Sequence, residues 1–397
     1  MDPPPNQFLG LMLHRLTKKK PFVLLLIPAA FLLYVSFQAS RSLLSTASGP
    51  LANHLYLQTV HRDSADPGSN GGKIILMTYG RSGSSFTSEI IQQDPGVFYT
   101  FEPLYNMVHR YIGPKDGKKK VVYPNTTDLA TAYDKESIEI MEVFLTCGFE
   151  SMNSRDINNF QLRNSADSRL LWGCVQRKGN WTPVDALDCF IKARKACFEC
   201  PVKMVKTIRI RGSAVRKMME KHPDLKIIYL IRDPRGTLAS QKRVFNNFKW
   251  EETANFSANY CQTFREDLAE IGQLLERFPG RLRLLRYENM AENPLKEAEA
   301  MYRFLGLDFT PTVREFVFNK TMAGQKGKSA YSTSRQNSTE TANSWRKKLT
   351  IAVAMTIDRN CKDIYQHLGY LPVNTLMELT DFSHSLKKKV AFHGQEL

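Results

Sequence analysis

The stretch TYGRSGSSF, residues 78–86, directly follows the apolar run KIILM. A continuous apolar run of this length is typical of a buried strand in a parallel sheet. The stretch after it combines two glycines, Gly80 and Gly83, with hydroxyl side chains and Arg81, before a helical pattern begins. A strand, a glycine-containing turn and a helix N-terminus together present unpaired backbone N–H groups, which bind phosphate-like anions. The sequence therefore predicts an anion-binding loop.

This loop is not a Walker A loop. Its spacing is too short, it has no lysine before the Ser/Thr, and no Walker-B-like strand ending in aspartate supplies magnesium. A nucleotide kinase would share the sheet, but it needs magnesium and a lysine in the loop. We therefore expect a phosphate-like group that is bound without a metal ion. The residues expected to line the loop are Gly80, Arg81, Ser82, Gly83, Ser84, Ser85 and Phe86.

A second anion motif lies in IRDPRGTLAS, residues 231–240. Again a strand ends, a proline interrupts it, and a helix begins. Arg232 and Ser240 could hold a phosphate between them, although Arg232 could instead form a structural ion pair with Asp233 or Glu288. Two phosphate sites on one sheet imply a ligand with two separated phosphates. The candidate binding residues here are Arg232, Asp233, Pro234, Arg235, Gly236, Thr237, Leu238, Ala239 and Ser240.

The order of the elements predicts the fold class. Strand patterns alternate with helical patterns, which indicates an α/β fold: a P-loop-like parallel sheet with helices on both faces. Ligands of such sheets bind beyond the carboxyl ends of the strands, where both motifs and Glu102 fall. The predicted strands are residues 73–77, 97–104, 203–210, 225–234 and 281–290.

The N-terminus predicts a membrane anchor. Residues 21–37 carry no charge and follow a basic segment, so we expect a single transmembrane helix with residues 1–20 in the cytosol. Residues 38–72 are polar and are interpreted as a luminal stem. A cleaved signal peptide is the alternative interpretation of the apolar stretch.

The charge, the N-glycosylation sequons and the cysteines are compatible with a location in the lumen of the secretory pathway. The formal charge of +16 favours acidic partners, but the lysine runs are too short to predict nucleic-acid binding. The chain has seven cysteines, of which four lie close together in sequence: Cys174, Cys189, Cys197 and Cys200. These four could form disulfides or a zinc site. An oxidising lumen favours disulfides, and the odd number of cysteines leaves one thiol over. The N-glycosylation sequons lie at Asn125, Asn180, Asn255, Asn319 and Asn337.

The two motifs resemble those of a known family. TYGRSGSSF resembles the 5′-phosphosulfate loop of sulfotransferases, and IRDPRGTLAS resembles their 3′-phosphate motif, which implies 3′-phosphoadenylyl sulfate (PAPS) as the donor. FYTFEPLY, VKTIRIR, LRYENMAENPLKEAEAMYRFLGL and YSTSRQNSTETANSWR are similar to Golgi carbohydrate 6-O-sulfotransferases. The resemblance covers residues 73–372 and leaves 373–397 as a C-terminal tail.

The resemblance implies a type II Golgi membrane enzyme, for which a homodimer remains possible. Such an enzyme transfers a sulfuryl group to a sugar hydroxyl of a glycan or glycosaminoglycan, with the 6-hydroxyl of galactose, N-acetylgalactosamine or N-acetylglucosamine expected. The same fold without activity, as a glycan- or nucleotide-binding luminal protein, is the alternative. Arg81, Glu102, Arg232 and Ser240 occur together, which favours the enzyme.

Five residues receive roles in this chemistry. Glu102 is expected to be the general base, with a pKa raised toward neutrality by its pocket. Arg81 would stabilise charge on the leaving oxygen, with Lys206 as a second candidate. Alternatively, Glu102 neutralises Arg81 or Lys206 structurally, and Lys206 is a solvated strand end. Ser334 and Arg335 are expected to close over the nucleotide as a flexible lid.

Two parts of the chain depart from the family pattern. Tyr79-Gly80 stands where family members often have Thr-Thr or Ser-Trp. The stretch between Gly113 and Cys174 matches poorly, so acceptor specificity is not assigned from it.

Overall fold

The computed structural model describes residues 72–111, 127–179, 182–246, 248–321, 333 and 337–397. Within these residues, five strands form one sheet in the order β2-β3-β1-β4-β5, and every neighbouring pair is parallel. The α/β prediction of a parallel sheet with helices is therefore confirmed. The strands are β1 Lys73–Met77, β2 Val97–Phe101, β3 Val202–Thr207, β4 Leu225–Ile231 and β5 Leu282–Arg286.

Helices cover both faces of the sheet because successive side chains of a strand point to opposite sides. Ile75 and Met77 of β1 join one hydrophobic cluster, whereas Ile74 and Leu76 join the other. The helices are α1 Ser84–Ile91, α2 Tyr105–Tyr111, α3 Thr127–Leu145, α4 Ser154–Ile157, α5 Ala166–Gln176, α6 Pro183–Glu199, α7 Gly212–Lys221, α8 Pro234–Phe245, α9 Thr253–Arg277, α10 Tyr287–Glu292, α11 Pro294–Leu305, α12 Pro311–Thr321, α13 Ser338–Asn343, α14 Ile351–Asn360, α15 Lys362–Leu368 and α16 Leu376–Thr380.

The fifth strand is shorter than its sequence pattern indicated. Residues 281–290 were expected to form one strand, but β5 ends at Arg286 and α10 begins at the next residue. The neighbouring strand β4 ends at Ile231, which pairs with Arg286, so a longer β5 would have no partner for its backbone groups. This early turn brings Tyr287 against the predicted anion loop, where its ring approaches Gly83.

The C-terminal segment packs on the domain instead of forming a separate tail. Residues 373–397 contain α16 and a two-stranded hairpin, β6 Ala391–Phe392 with β7 Gln395–Glu396. The Gln395 side chain accepts from the N–H of Leu284 at 2.8 Å and donates to the carbonyl of Leu282 at 2.6 Å. An edge strand carries unpaired backbone groups, and this side chain satisfies two of them on β5.

Most of the cysteines form disulfides, and the alternative of a zinc site is not supported. Cys197 pairs with Cys147, so it is not available to form half of a metal site with Cys200. The leftover thiol is Cys200, as the odd cysteine count implied. The three disulfides are Cys147–Cys197, Cys174–Cys189 and Cys261–Cys361.

The expected membrane anchor lies outside the described residues, as do the cytosolic segment and most of the stem. Among the helices α1 to α16, none is both long and apolar enough to cross a bilayer.

Candidate active site

The predicted anion loop lies at the carboxyl end of the central strand β1. Arg81 and Gly83 both adopt positive φ angles, 73° and 96°, which turn the chain sharply into α1. A Cβ atom at Gly83 would lie 2.3 Å from the ring of Tyr287, so only glycine fits there. No side chain caps the first turn of α1, where the backbone N–H groups of an α-helix have no intrahelical partner.

The side chains of this loop fall into two groups. Ser82, Ser84 and Phe86 are buried, and Phe86 belongs to a hydrophobic cluster, so it can offer a ligand its backbone N–H but not its ring. Arg81 and Ser85 are partly exposed. The anion-binding capacity of the loop therefore comes from backbone N–H groups and from the side chains of Arg81 and Ser85.

Tyr79, which departs from the family pattern, anchors the loop to α9. Its hydroxyl donates to the carboxylate of Asp267 at 2.6 Å, and the N–H of Gly212 donates to the same carboxylate at 2.9 Å. Burial raises the pKa of Asp267 to about 6, although both hydrogen bonds lower it. The glycine after Tyr79 is held as well, because Gln241 donates to the carbonyl of Gly80 at 2.9 Å.

The two sequence motifs meet in space. Arg232, directly after β4, donates from Nη1 to the carbonyl of Arg81 at 2.8 Å. Arg81 in turn donates from Nε to the hydroxyl of Ser240 at 3.2 Å. Arg232 is 9% exposed, stacks over the ring of Tyr287, and has a buried Nε without a hydrogen-bond partner. A buried donor left unpaired is costly, so this guanidinium fits an anionic ligand.

The structural alternative for Arg232, a direct ion pair, is not formed, although Arg232 lies near Glu288: burial raises the pKa of the Glu288 carboxyl, and the charge of Arg232 opposes that rise. Among the ion pairs of the described residues, none joins Arg232 to Asp233 or Glu288. Asp233 instead pairs with Arg235, whose Nη2 lies 2.8 Å from it.

Asp233 and Arg235 do not face a ligand as the sequence analysis expected. Asp233 caps α8 by accepting from the N–H of Arg235 at 2.8 Å, so a carboxylate already occupies the helix N-terminus that was expected to bind phosphate. Arg235 is fully buried and also pairs with Asp358 at 3.2 Å. Pro234, Gly236, Thr237, Leu238 and Ala239 are buried too. The motif residues whose side chains contact the anion loop are Arg232 and Ser240.

Glu102 directly follows β2, which β3 separates from β1 and its loop. Its backbone has a φ of 51°, and its N–H donates to the carbonyl of Lys206 at 2.9 Å. Its carboxylate accepts from Lys206 Nζ at 2.6 Å and from the guanidinium of Arg209. Asn159 supports the turn by donating to the carbonyl of Glu102 at 2.9 Å.

The pKa expected for Glu102 was wrong in direction. Burial alone raises the pKa of this carboxyl, but the charges of Lys206 and Arg209 outweigh burial and lower it. Lys206 is buried as well, not a solvated strand end; burial lowers its pKa, and nearby Arg209 and Arg81 lower it further while Glu102 raises it. Glu102 is therefore ionised at neutral pH.

Arg209 is the functional candidate that the sequence analysis missed. It lies two residues beyond β3, between Glu102 and the ring of Tyr105, which is 4.9 Å from the guanidinium carbon. This residue belongs to the stretch VKTIRIR. Its strand-like alternation of side chains does not indicate that the Arg209 side chain contacts Glu102.

Other predicted residues are placed only in part. Ser334 and Arg335 lie outside the described residues, as do Asn125 and Asn180. Asn255, Asn319 and Asn337 are all exposed. Over the described part of the chain, no group of three or more His, Cys, Asp or Glu side chains is arranged to hold a metal ion.

Comparison with known proteins identifies the family. The sulfotransferase domain family matches residues 72–372. Mouse carbohydrate sulfotransferase 1 is 28% identical over 80% of this chain and 84% of its own, and human carbohydrate sulfotransferase 3 is 28% identical over 79% and 70%. Mouse sulfotransferase SULT7A1, solved in complex with PAP, is 12% identical over 74% of this chain and 85% of its own, with a TM-score of 0.39. The resemblance seen in the two motifs is thus confirmed, and the chain belongs to the sulfotransferase domain family.

Proposed function

We propose that this protein transfers a sulfuryl group from PAPS to a hydroxyl group of a carbohydrate. The observation that carries the proposal is the meeting of Arg81, Arg232 and Ser240 at the carboxyl ends of β1 and β4, with Lys206 of the neighbouring β3 and its partner Glu102 after β2 on the same side of the sheet. The relatives named as carbohydrate sulfotransferases support a sugar acceptor.

The donor would be held at both of its anionic ends. Arg232 and Ser240 bind the 3′-phosphate, and the unpaired Nε of Arg232 supports that role. Arg81 and the backbone N–H groups at the start of α1 bind the 5′-phosphosulfate. Asp233 and Arg235 act indirectly, because their ion pair fixes the start of α8 beside Arg232. Ser334 and Arg335 remain proposed as a cover for the nucleotide.

The reaction is an in-line displacement at sulfur. The sugar oxygen forms a bond to sulfur, the bond from sulfur to the bridging oxygen breaks, and adenosine 3′,5′-bisphosphate leaves. The proton of the sugar hydroxyl passes to Glu102, and Arg81 and Lys206 stabilise the negative charge on the leaving group.

Glu102 would act as a base of low proton affinity. Its pairing with Lys206 and Arg209 keeps it ionised and ready to accept a proton, while lowering the driving force for that transfer. A hydroxyl becomes more acidic as its oxygen bonds to sulfur, so we infer that the proton moves late, once that bond is well formed.

The acceptor is proposed to be the 6-hydroxyl of galactose, N-acetylgalactosamine or N-acetylglucosamine in a glycan or glycosaminoglycan. The full-length protein is incubated with ³⁵S-labelled PAPS and a panel of desulfated glycans, and linkage analysis locates the label. Label at carbon 6 of one of these sugars supports the proposal, whereas no transfer to any glycan contradicts it. Activity should also persist in EDTA if no metal ion takes part.

The protein is proposed to be a single-pass type II membrane protein of the Golgi, anchored by residues 21–37, with residues 38–72 as its stem and the catalytic domain in the lumen. The exposure of the sequons at Asn255, Asn319 and Asn337 supports a luminal address, because the glycosylation machinery needs accessible asparagines. A mass shift after endoglycosidase treatment of the expressed protein tests this; an unglycosylated chain contradicts it.

A homodimer is proposed through the outer face of α6. Val184, Ile191 and Phe198 recur every seven residues there and are 79%, 54% and 49% exposed. Asp188 and Lys195 lie between them on the same stripe, so two copies crossing antiparallel at Ile191 would place opposite charges face to face. Ile191→Glu should give monomers in sedimentation velocity if the wild-type protein forms dimers.

A further inference from the structure

One face of α8 gathers residues that the sequence analysis did not combine. Gly236, Ser240 and Arg243 are spaced four and three residues apart, which puts them on the same side of an α-helix. Arg232 lies just before the helix, and Ser240 contacts Arg81 at 3.2 Å. Arg243 is exposed, so this face leads from the proposed nucleotide site to solvent.

A short 3₁₀ turn, Ser344–Lys347, packs against the same face. A Cβ atom at Gly236 would lie 2.9 Å from the Trp345 ring and 3.2 Å from Arg232 Nε, so Trp345 and Arg232 flank this glycine on one side of the helix. Lys348 follows the turn directly, and its Nζ donates to the hydroxyl of Ser344 at 2.9 Å.

The result is a group of three cations, Arg232, Arg243 and Lys348; Glu288 is a carboxylate close enough to feel the charge of Arg232, but it does not form an ion pair with it. Within the described residues, no ion pair involves any of the three. Burial lowers the pKa of Lys348, and the charges of Arg243 and Arg232 lower it further, so the three positive charges act on one another. Like charges held together cost stability unless an anion binds between them.

We propose that Lys348 and Arg243 complete the binding site for the 3′-phosphate of the nucleotide, together with Arg232 and Ser240. A phosphate monoester carries close to two negative charges at neutral pH and matches a site of several cations. The buried Nε of Arg232 without a partner is the second sign that this site is built for an anion. The inference rests on the proposed donor and adds residues to its binding site.

The test compares two nucleotides that differ only in the 3′-phosphate. Calorimetry measures binding of adenosine 3′,5′-bisphosphate and of adenosine 5′-phosphate to the full-length protein and to Lys348→Gln. We expect affinity for the bisphosphate to fall about tenfold, as for one lost charge-assisted contact, with the monophosphate changing less than about twofold. Lys348→Arg should retain most of the affinity for the bisphosphate.

The matched control is Lys347→Gln. Lys347 is the preceding residue, is exposed, and already forms an ion pair of its own with Glu340 at 3.2 Å. The Lys347→Gln substitution should leave the binding of both nucleotides unchanged. The unliganded Lys348→Gln protein should melt at the same temperature as the wild type or slightly higher, because one repelling charge is gone.

Four results would overturn the inference. Unchanged bisphosphate affinity in Lys348→Gln removes Lys348 from the site. An equal loss of affinity for both nucleotides means that Lys348 acts on the rest of the nucleotide or on the fold. A lower melting temperature of the unliganded Lys348→Gln protein means that Lys348 stabilises the fold. If the wild-type protein binds neither nucleotide, the proposed function itself fails, and the inference with it.

Discussion

The Nη1 atom of Arg232 donates a 2.8 Å hydrogen bond to the backbone carbonyl of Arg81, 151 residues earlier in the chain. This single contact joins the two anion motifs, which occupy the ends of adjacent strands β1 and β4. Because Arg81 also donates to Ser240, a group bound by one motif will affect the geometry of the other.

Arg232→Lys should weaken nucleotide binding although the charge is kept. An ammonium group cannot reproduce the planar fork that bonds the Arg81 carbonyl while offering further N–H groups to a phosphate. We expect a loss of ~1.5–3 kcal/mol in the binding of adenosine 3′,5′-bisphosphate by calorimetry. Arg303→Lys, whose side chain is 78% exposed, is the control; equal affinity in all three proteins would refute the role of Arg232.

Glu102→Gln should reduce turnover by at least ~10²-fold while nucleotide affinity stays nearly unchanged, because a neutral amide cannot accept the proton. The substitution also leaves Lys206 buried without its counter-charge, so a lower melting temperature is expected. Rates are therefore compared well below the melting temperature of the variant. Near-normal turnover there would exclude Glu102 as the base and leave it a structural partner of Lys206 and Arg209.

Gly83→Ala should disrupt the anion loop more than its backbone angle alone predicts. The added methyl would lie 2.3 Å from the ring of Tyr287, in addition to the strain of a φ of 96°. Gly179→Ala is the matched control, since Gly179 has a φ of 64° but nothing within 4 Å of the added atom. We expect Gly179→Ala to lose about 1 kcal/mol of unfolding free energy in denaturant titration, and Gly83→Ala clearly more. Equal losses would mean that Tyr287 moves aside without cost.

Asp267 should make stability depend on pH between about 4 and 6. Its pKa rises from 3.8 to about 6 on folding, so the folded state binds the proton more tightly and stability from this group falls as pH rises through that range. Asp267→Asn lacks this dependence. As the pH rises from about 4 to 6, the unfolding free energy of the variant should therefore increase relative to that of the wild type by up to about 3 kcal/mol, at about 1.4 kcal/mol per pKa unit. A pH-independent difference would contradict the raised pKa.

Alkylation of the native, unreduced protein should modify Cys200 and no other cysteine. The other six are joined in three disulfides, and Cys200 is partly exposed. Burial raises the pKa of its thiol, so the reaction should be slow at pH 7 and faster at pH 9. Peptide mapping after iodoacetamide treatment gives the answer; adducts on two or more cysteines would show that a disulfide is missing.

The contrast between Asp233 and Arg232 shows how far the sequence analysis could go. Both follow β4 in one motif, and both were expected to bind the nucleotide. Arg232 reaches the Arg81 carbonyl, but Asp233 turns back to cap α8 and pairs with Arg235. A capping carboxylate and a ligand-binding one look alike in sequence, because the difference is a side-chain direction that Asp358, 123 residues beyond Arg235, helps to fix.

Sequence alone determined the five strands, their alternation with helices, the position of both motifs at strand ends, and the family, because apolar runs and turn residues act over a few neighbouring positions. Tertiary structure alone decided which charges face each other: Arg209 on Glu102, Arg235 on Asp358, and Lys348 near Arg232. Such pairs join residues that are distant along the chain, and the packing of whole helices and strands, which no local pattern encodes, brings them together.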